Sequence, residues 1–158
     1  MTTDVAPTSV TLRAAEPDDW RAIAALLTDA DLPLAGAEER LSDFIVVEGA
    51  GGTLLGCGAL ERYMLADGAP ASALLRSLAV APAARGLGLG ALLVERLLTT
   101  ARASGVADVT LLTTTAADYF PRFGFQTIAR EQAPLAVRAS VEFREACPTS
   151  ATVMLLAR

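Results

Sequence analysis

Two groups of residues in this 158-residue chain carry chemistry suited to a small molecule. The first is Arg85-Gly86-Leu87-Gly88-Leu89-Gly90-Ala91, where a cation and three alternating glycines precede a helical pattern. Unpaired amides at a helix start point outward, and the helix dipole favours negative charge beside them. Glycine lets an anion approach with no Cβ in the way. A diphosphate suits such a loop. The second group is Arg76 with Glu61 and Tyr63, set in otherwise apolar runs. If the intervening turn is centred symmetrically, Glu61 lies opposite Arg76 and shares a face with Tyr63 and Cys57. A one-residue slip would reverse that face. Arg76 then either pairs with Glu61 across strands on a partly solvated face, or grips a substrate carboxylate or other oxyanion through its bidentate fork. In the second case Glu61 orients an ammonium group or relays its proton through water, and a close Arg76 weakens it as a base.

The glycine loop has two competing readings. Gly86, Gly88 and Ala91 fit a G-x-G-x-x-A dinucleotide fingerprint, but in that motif the strand runs directly into the first glycine and an acid closes the next strand. Here Ala81–Ala84 intervene, and Asp108 opens its strand instead. The other is a flexible turn whose glycines serve only close packing.

Composition removes whole classes of chemistry. The chain has 13 basic and 18 acidic residues and a net charge of −5. Phosphate neutralisation needs a basic patch, so no nucleic-acid partner is expected. There is no histidine and there are two cysteines, Cys57 and Cys147. This excludes histidine triads and leaves a tetrahedral zinc shell unclosed, so no metal is expected. Thiols bind trivalent arsenic, but Cys57 between two glycines reads as a packed core residue. No apolar run reaches the ~20 residues of a membrane span, and the N-terminus lacks a signal-peptide pattern. No membrane partner and a cytoplasmic location are expected.

The elements that must position these residues follow from periodicity. Ser9–Ala15 reads as a strand. Pro17 and the acids after it open a helix carrying Trp20, Ile23, Ala24 and Leu27. "AEERLSDF" suggests a short helix. "DFIVVEGAGG", Thr53–Met64 and Ala73–Val80 read as strands of an antiparallel meander. Leu89, Leu92, Leu93, Leu97 and Ala101 form one apolar helical stripe, terminated by Gly105. "VADVTLLTT" follows as a strand parallel to Ala73–Val80 through a right-handed crossover. A short helix over "AADYFPRF", a strand over "GFQTIAR", a helix over "PLAVRASVEFREA" and a last strand "ATVMLLA" complete one mixed α/β (α+β) domain spanning residues 1–158.

The segment "LLRSLAVAPAARGLGLGALLVERLL" resembles the acetyl-CoA-binding core of the GNAT acetyltransferase superfamily. "DYFPRFGF" is similar to that family's aromatic-helix-Gly-Phe segment, and the element order agrees over nearly the whole chain. More narrowly, "LLRSLAVAP", "LLTTTA" and "VEFREACPTSA" resemble the branch associated with arsenic-resistance operons. The resemblance implies a mixed sheet whose central parallel strands splay around acetyl-CoA. The backbone of Leu78, Ala79 and Val80 would pair with the pantetheine arm. The amides from Arg85 to Ala91 would cradle the diphosphate. Thr113 and Thr115 would lie on the splayed partner strand, and Arg122 would approach the phosphates. A backbone N–H near Leu78 would polarise the thioester carbonyl. The tyrosine that often protonates the departing sulfur aligns with Phe120. Tyr119 is one residue earlier, about 100° around a helix. Water, Thr113 or Thr115 are alternative helpers. The glutamate many relatives carry on the preceding strand is Leu74 here, so the obvious base is absent.

An α-amino group of pKa ~7.8 is about one-seventh neutral at pH 7, whereas a lysine amine of pKa ~10.4 is neutral only about once in 2500. A site without a strong base suits the former. The expected activity is therefore acetyl transfer from acetyl-CoA to a small, amino-acid-like amine with an acidic end, including toxic arsenic or phosphinate analogues. The alternatives are a non-catalytic CoA- or metabolite-binding module and a thiol-based As(III) binder. By analogy with the fold, a homodimer seamed along "ATVMLLA" is also expected.

Overall fold

The apolar alternations become strands close to where the sequence places them. The computed structural model describes residues 9–64, 67, 68, 70–140, 142–146 and 150–157. The elements are β1 (Thr11–Ala14), α1 (Trp20–Asp29), β2 (Phe44–Glu48), β3 (Leu54–Met64), β4 (Pro70–Val80), α2 (Leu89–Ser104), β5 (Asp108–Thr113), β6 (Gln126–Ile128), α3 (Leu135–Arg138) and β7 (Thr152–Ala157). Among the described residues, seven strands form a mixed sheet in the order β1-β2-β3-β4-β5-β7-β6. The fold is mixed α/β, antiparallel first and with a parallel β4–β5 pair, as the crossover argument requires. No helix among the described residues is long and apolar enough to cross a membrane.

The chain divides into two compact units. The first comprises the described residues up to Ala59 together with Ser77–Arg96. In it β1 and β2 pair antiparallel with Leu12 opposite Val47, and β2 pairs β3 with Val46 opposite Cys57. Helix α1 buries Ile23, Leu26 and Leu27 against Phe44, Val46, Cys57, Ala59 and Ala79. Each such side chain contributes about 1.5–3 kcal/mol through burial. The entry to α1 is fixed electrostatically. The Glu16 N–H donates to the Asp19 carboxylate at 2.7 Å, and Arg13 pairs with Asp19 and Glu48, each at 2.7 Å. The hydrogen bond from Arg13 holds the Asp19 carboxyl below its ordinary value. A second cluster packs Val47 and Ala84 with Leu89 and Leu93 of α2.

The second unit comprises Leu60–Arg76 and the described residues from Leu97 onward. Ser72, Ala73 and Leu74 of β4 pair parallel with Asp108, Val109 and Thr110 of β5. β7 pairs antiparallel with β5 over Thr152–Ala157 and with β6 over Val153–Leu155, so both its main-chain edges are engaged along that middle stretch. Leu74, Ala133, Val137, Phe143 and Val153 form the core, with Tyr63, Leu112 and Ile128 against it.

Two expectations need correction. The α2 stripe runs through Leu89, Leu93, Leu97 and Ala101 and then leans toward Val94 and Leu98, all buried; Leu92 is 36% exposed. Both flanks of the stripe are apolar, so periodicity alone could not choose between them. The single helix expected over "PLAVRASVEFREA" is also broken. α3 spans only Leu135–Arg138, and a π-type turn follows over Glu142–Ala146. Ser140 makes the break: its N–H bonds back to the Val137 carbonyl at 2.9 Å, while its hydroxyl accepts the Phe143 N–H at 3.2 Å. Serine competes in this way with the regular helical ladder.

Candidate functional site

β4 ends at Val80, and a 3-10 turn over Pro82–Ala84 separates it from the glycines. The strand therefore does not run into Gly86, which removes the dinucleotide reading. Gly86 and Gly88 have φ of +87° and +79°, a left-handed backbone that side chains rarely adopt. A Cβ built on either would meet nothing within 4 Å. The glycines therefore serve the loop's path and leave open space before it, rather than filling a tight contact. Leu87 between them is 59% exposed. The bond from the Leu92 N–H to the Gly88 carbonyl at 3.1 Å is the first of α2. The amides of Leu89, Gly90 and Ala91 thus precede the helical ladder. The Arg85 Nε donates to the Val80 carbonyl at 3.2 Å, which ties the loop to the strand end. The open glycines, outward amides and arginine fit a diphosphate.

Ser77 interrupts β4 with φ of +60°. The strict alternation expected of Leu74, Arg76, Leu78 and Val80 is interrupted there, because a left-handed residue does not keep the pleat of an extended strand. Leu74 packs with Val137 and Phe143. Leu78 and Val80 pack with Val47, Leu89 and Leu93, and Ala79 packs with Cys57. The Cys57 thiol donates to the Ser77 carbonyl at 3.4 Å, and burial pushes that thiol up to about 12. Its full burial and raised value both disfavour the thiolate that a soft-ion site needs. Cys147 lies outside the described residues.

Glu61, Tyr63 and Arg76 meet in the second unit, as the turn argument expects, but in a setting the sequence did not show. Arg76 Nη1 lies 3.3 Å from Glu61 Oε2, and Arg76 Nε lies 3.3 Å from Glu142 Oε1. The Tyr63 hydroxyl donates to Glu61 Oε1 at 2.5 Å. The Arg76 side chain is fully covered, and those of Glu61 and Glu142 are 4% and 5% exposed. The ion pair therefore lies in the interior, not on a partly solvated face, and the guanidinium is directed to protein carboxylates rather than presented to an acceptor. Glu142 is the residue sequence reasoning missed. Burial pushes its carboxyl up to about 7; Arg76 opposes the shift and Glu61 adds to it. Its only signal was a carboxylate beside Phe143 in a segment otherwise read as an amphipathic helix.

The region after β5 also departs from expectation. Thr113 ends the strand, and its hydroxyl accepts the Ala116 N–H at 2.9 Å and the Thr115 N–H at 3.4 Å. Thr115 therefore lies in the turn and not on the strand. Phe120 is buried in an aromatic cluster, with ring centroids 5.3 Å from Tyr119 and 5.9 Å from Phe125. The Tyr119 and Phe120 rings meet edge to face at 80°. Arg122 is exposed, stacks 4.3 Å from the Tyr119 ring centroid and donates from Nε to the Tyr119 carbonyl at 2.7 Å.

Comparison with known proteins agrees with this geometry. Residues 40–127 match the acetyltransferase (GNAT) domain family. An amino-acid acetyltransferase of Pseudomonas fluorescens is 39% identical over 104 residues, covering 66% of this chain and 23% of that protein. One from Neisseria meningitidis is 32% identical over 97 residues, covering 61% of this chain and 21% of that protein. The chain thus spans about a fifth of the length of the curated relatives it matches. Among solved structures, N-acetylglutamate synthase from Neisseria gonorrhoeae, complexed with coenzyme A and N-acetyl-glutamate, superimposes with a TM-score of 0.78 at 26% identity. That match covers 96% of this chain and 36% of the synthase. A Mycobacterium tuberculosis protein in complex with CoA gives a TM-score of 0.75 at 28% identity, with 94% and 99% of the two chains covered.

Proposed function

Because the chain belongs to the GNAT acetyltransferase domain family, we propose that it transfers an acetyl group from acetyl-CoA to the α-amine of a small amino acid. The observation that carries this reading is the open glycine loop ahead of α2, whose outward amides and Arg85 suit a diphosphate. The relatives named as amino-acid acetyltransferases, and the synthase solved with N-acetyl-glutamate, support a free amino acid as acceptor. We assign the main chain of Leu78–Val80 and the amides of Arg85–Ala91 to the thioester, with the exposed Arg122, bonded to the Tyr119 carbonyl, as the candidate for a phosphate.

In the net reaction the amine nitrogen loses a proton and bonds the acetyl carbon, while the carbon–sulfur bond breaks and the sulfur leaves as a thiol. A thiol of pKa about 8.5 is a tolerable leaving group without a dedicated acid. Tyr119, held against Arg122, is the candidate donor, and a missing acid would cost about 10²-fold. We assign the proton leaving nitrogen to Tyr63 and Glu61: Tyr63 is half-buried, and its hydroxyl donates to the covered carboxylate. A narrower form of the reading is resistance to toxic analogues, since an arsenical or phosphinate amino acid offers the same α-amine and an anionic end.

The test is thiol release from acetyl-CoA with L-glutamate, L-glutamine, an arsenical and a phosphinate amino acid, and a peptide offering only a lysine amine. Release with free α-amino acids and none with the peptide is expected. Tight CoA binding with no release across the panel would overturn the enzyme reading in favour of a binding module.

A further inference from the structure

The buried set of Glu61, Arg76 and Glu142 poses a question of charge. Two carboxylates face one guanidinium, with side-chain exposures of 0–5%. Excess negative charge in such a place is unfavourable, and the set answers by holding a proton between its carboxylates or by letting one act outward. Arg76 meets Oε2 of Glu61, and the half-buried Tyr63 donates to Oε1. The titratable and charged groups on the surrounding elements include Glu61, Arg62 and Tyr63 of β3, Arg76 of β4, Arg138 of α3, Arg130 and Glu131 of the Arg130–Gln132 turn and Arg144 beside Glu142 itself; Arg62 and Glu131 are exposed, and Arg62 donates to Ser104 at 3.1 Å. Arg130 is directed to the Phe143 carbonyl at 2.9 Å and stacks over the Phe143 ring, and Arg144 is exposed.

We propose that Glu142 is a positioning residue for acetyl transfer: by holding Nε of Arg76 it divides the guanidinium's charge between two carboxylates, leaving Glu61 able to take a proton handed on by Tyr63. The inference rests on the reading that Tyr63 and Glu61 serve the acceptor amine. The proton step balances without a redox partner. The ammonium N–H breaks as its proton moves to the Tyr63 oxygen, the Tyr63 O–H breaks as its proton moves to Glu61 Oε1, and the reverse route later returns the proton to solvent. When Glu142 is itself protonated, Arg76 acts on Glu61 alone and the hand-off is disfavoured.

The experiment compares kcat and KM across pH for wild type, Glu142→Gln and Glu142→Asp, with L-glutamate and a second acceptor of different amine pKa. Wild type is expected to show an acidic limb that stays in place when the acceptor changes. Glu142→Gln should lose that limb and about tenfold in kcat, with the KM for acetyl-CoA unchanged; Glu142→Asp should restore part of both. An unaltered limb and kcat in Glu142→Gln would overturn the proposal. Tyr63→Phe and Glu61→Gln separate the two levels. If they lower kcat while Glu142→Gln does not, only the role of Glu142 fails. If they leave kcat intact, the Tyr63–Glu61 reading fails. Should Glu142→Gln not fold, carboxyl NMR of the wild-type protein decides. A buried glutamate titrating in step with kcat supports the proposal, and one that does not overturns it.

Discussion

Arg76 shows how much a single side chain can depend on its partners. Its guanidinium is the cation that both covered carboxylates meet, so Arg76→Met is expected to destabilise the fold by about 3–5 kcal/mol, because a buried charge left unpaired costs far more than the pair contributes. Urea denaturation measures the loss, and adding Glu142→Gln should recover part of it, since neighbours that share a charge do not act additively. Cys57 gives a second expectation at this scale. With its thiol pushed up to about 12, it should resist iodoacetamide in a Cys147→Ser background until denaturant opens the fold. The meeting of Arg76 with Glu61 was legible in the sequence because each charge stands at matching distance from the turn signal between two apolar strands. Its burial was not, because the cover comes from Glu142 and the Phe143 segment, distant in sequence and disguised as one continuous helix.

At the scale of elements, the two flanks of α2 offer a direct comparison. Leu93→Ala removes a fully buried side chain and is expected to cost about 2–5 kcal/mol. Leu92→Ala, on the exposed side, should change stability by less than about 0.5 kcal/mol. Thermal unfolding distinguishes them. In the glycine loop, Gly88→Val would meet no clash but would strain a backbone at φ +79° and place a branched side chain in the open space. Its KM for acetyl-CoA should rise at least about tenfold while the acceptor KM changes little. Strands, loop and crossover were legible because period-two alternation, glycine punctuation and a helical stripe each leave a local signature. The turn at Ser140 left none, and neither did the left-handed Ser77, since glycine is the residue one looks for at positive φ.

For the whole molecule, these groups set how stability responds to pH. The folded-state value of Glu142, about 7, exceeds its ordinary 4.5. The folded chain therefore binds this proton more tightly than the unfolded chain. The associated stability is complete below about 4.5 and is lost as pH rises through about 7, a change of about 3 kcal/mol. Asp19 acts in the opposite sense: its folded-state value lies below 3.8, so its contribution is present above that value and is lost as pH falls further. The contributions of these two groups overlap most fully in mildly acidic solution, around pH 4–5. Glu142→Gln should flatten the decline toward pH 8, which a series of urea titrations would show.

The left-handed residue at Ser77 has a consequence for inheritance. Residues before it answer to a sunken charge and to β5, whereas those after it answer to α2 and the loop. Substitutions on the two stretches of one strand are thus judged by unrelated neighbours. A deletion that straightened β4 would exchange those neighbours all at once, so the fold should accept drift on either stretch more readily than the loss of one residue between them.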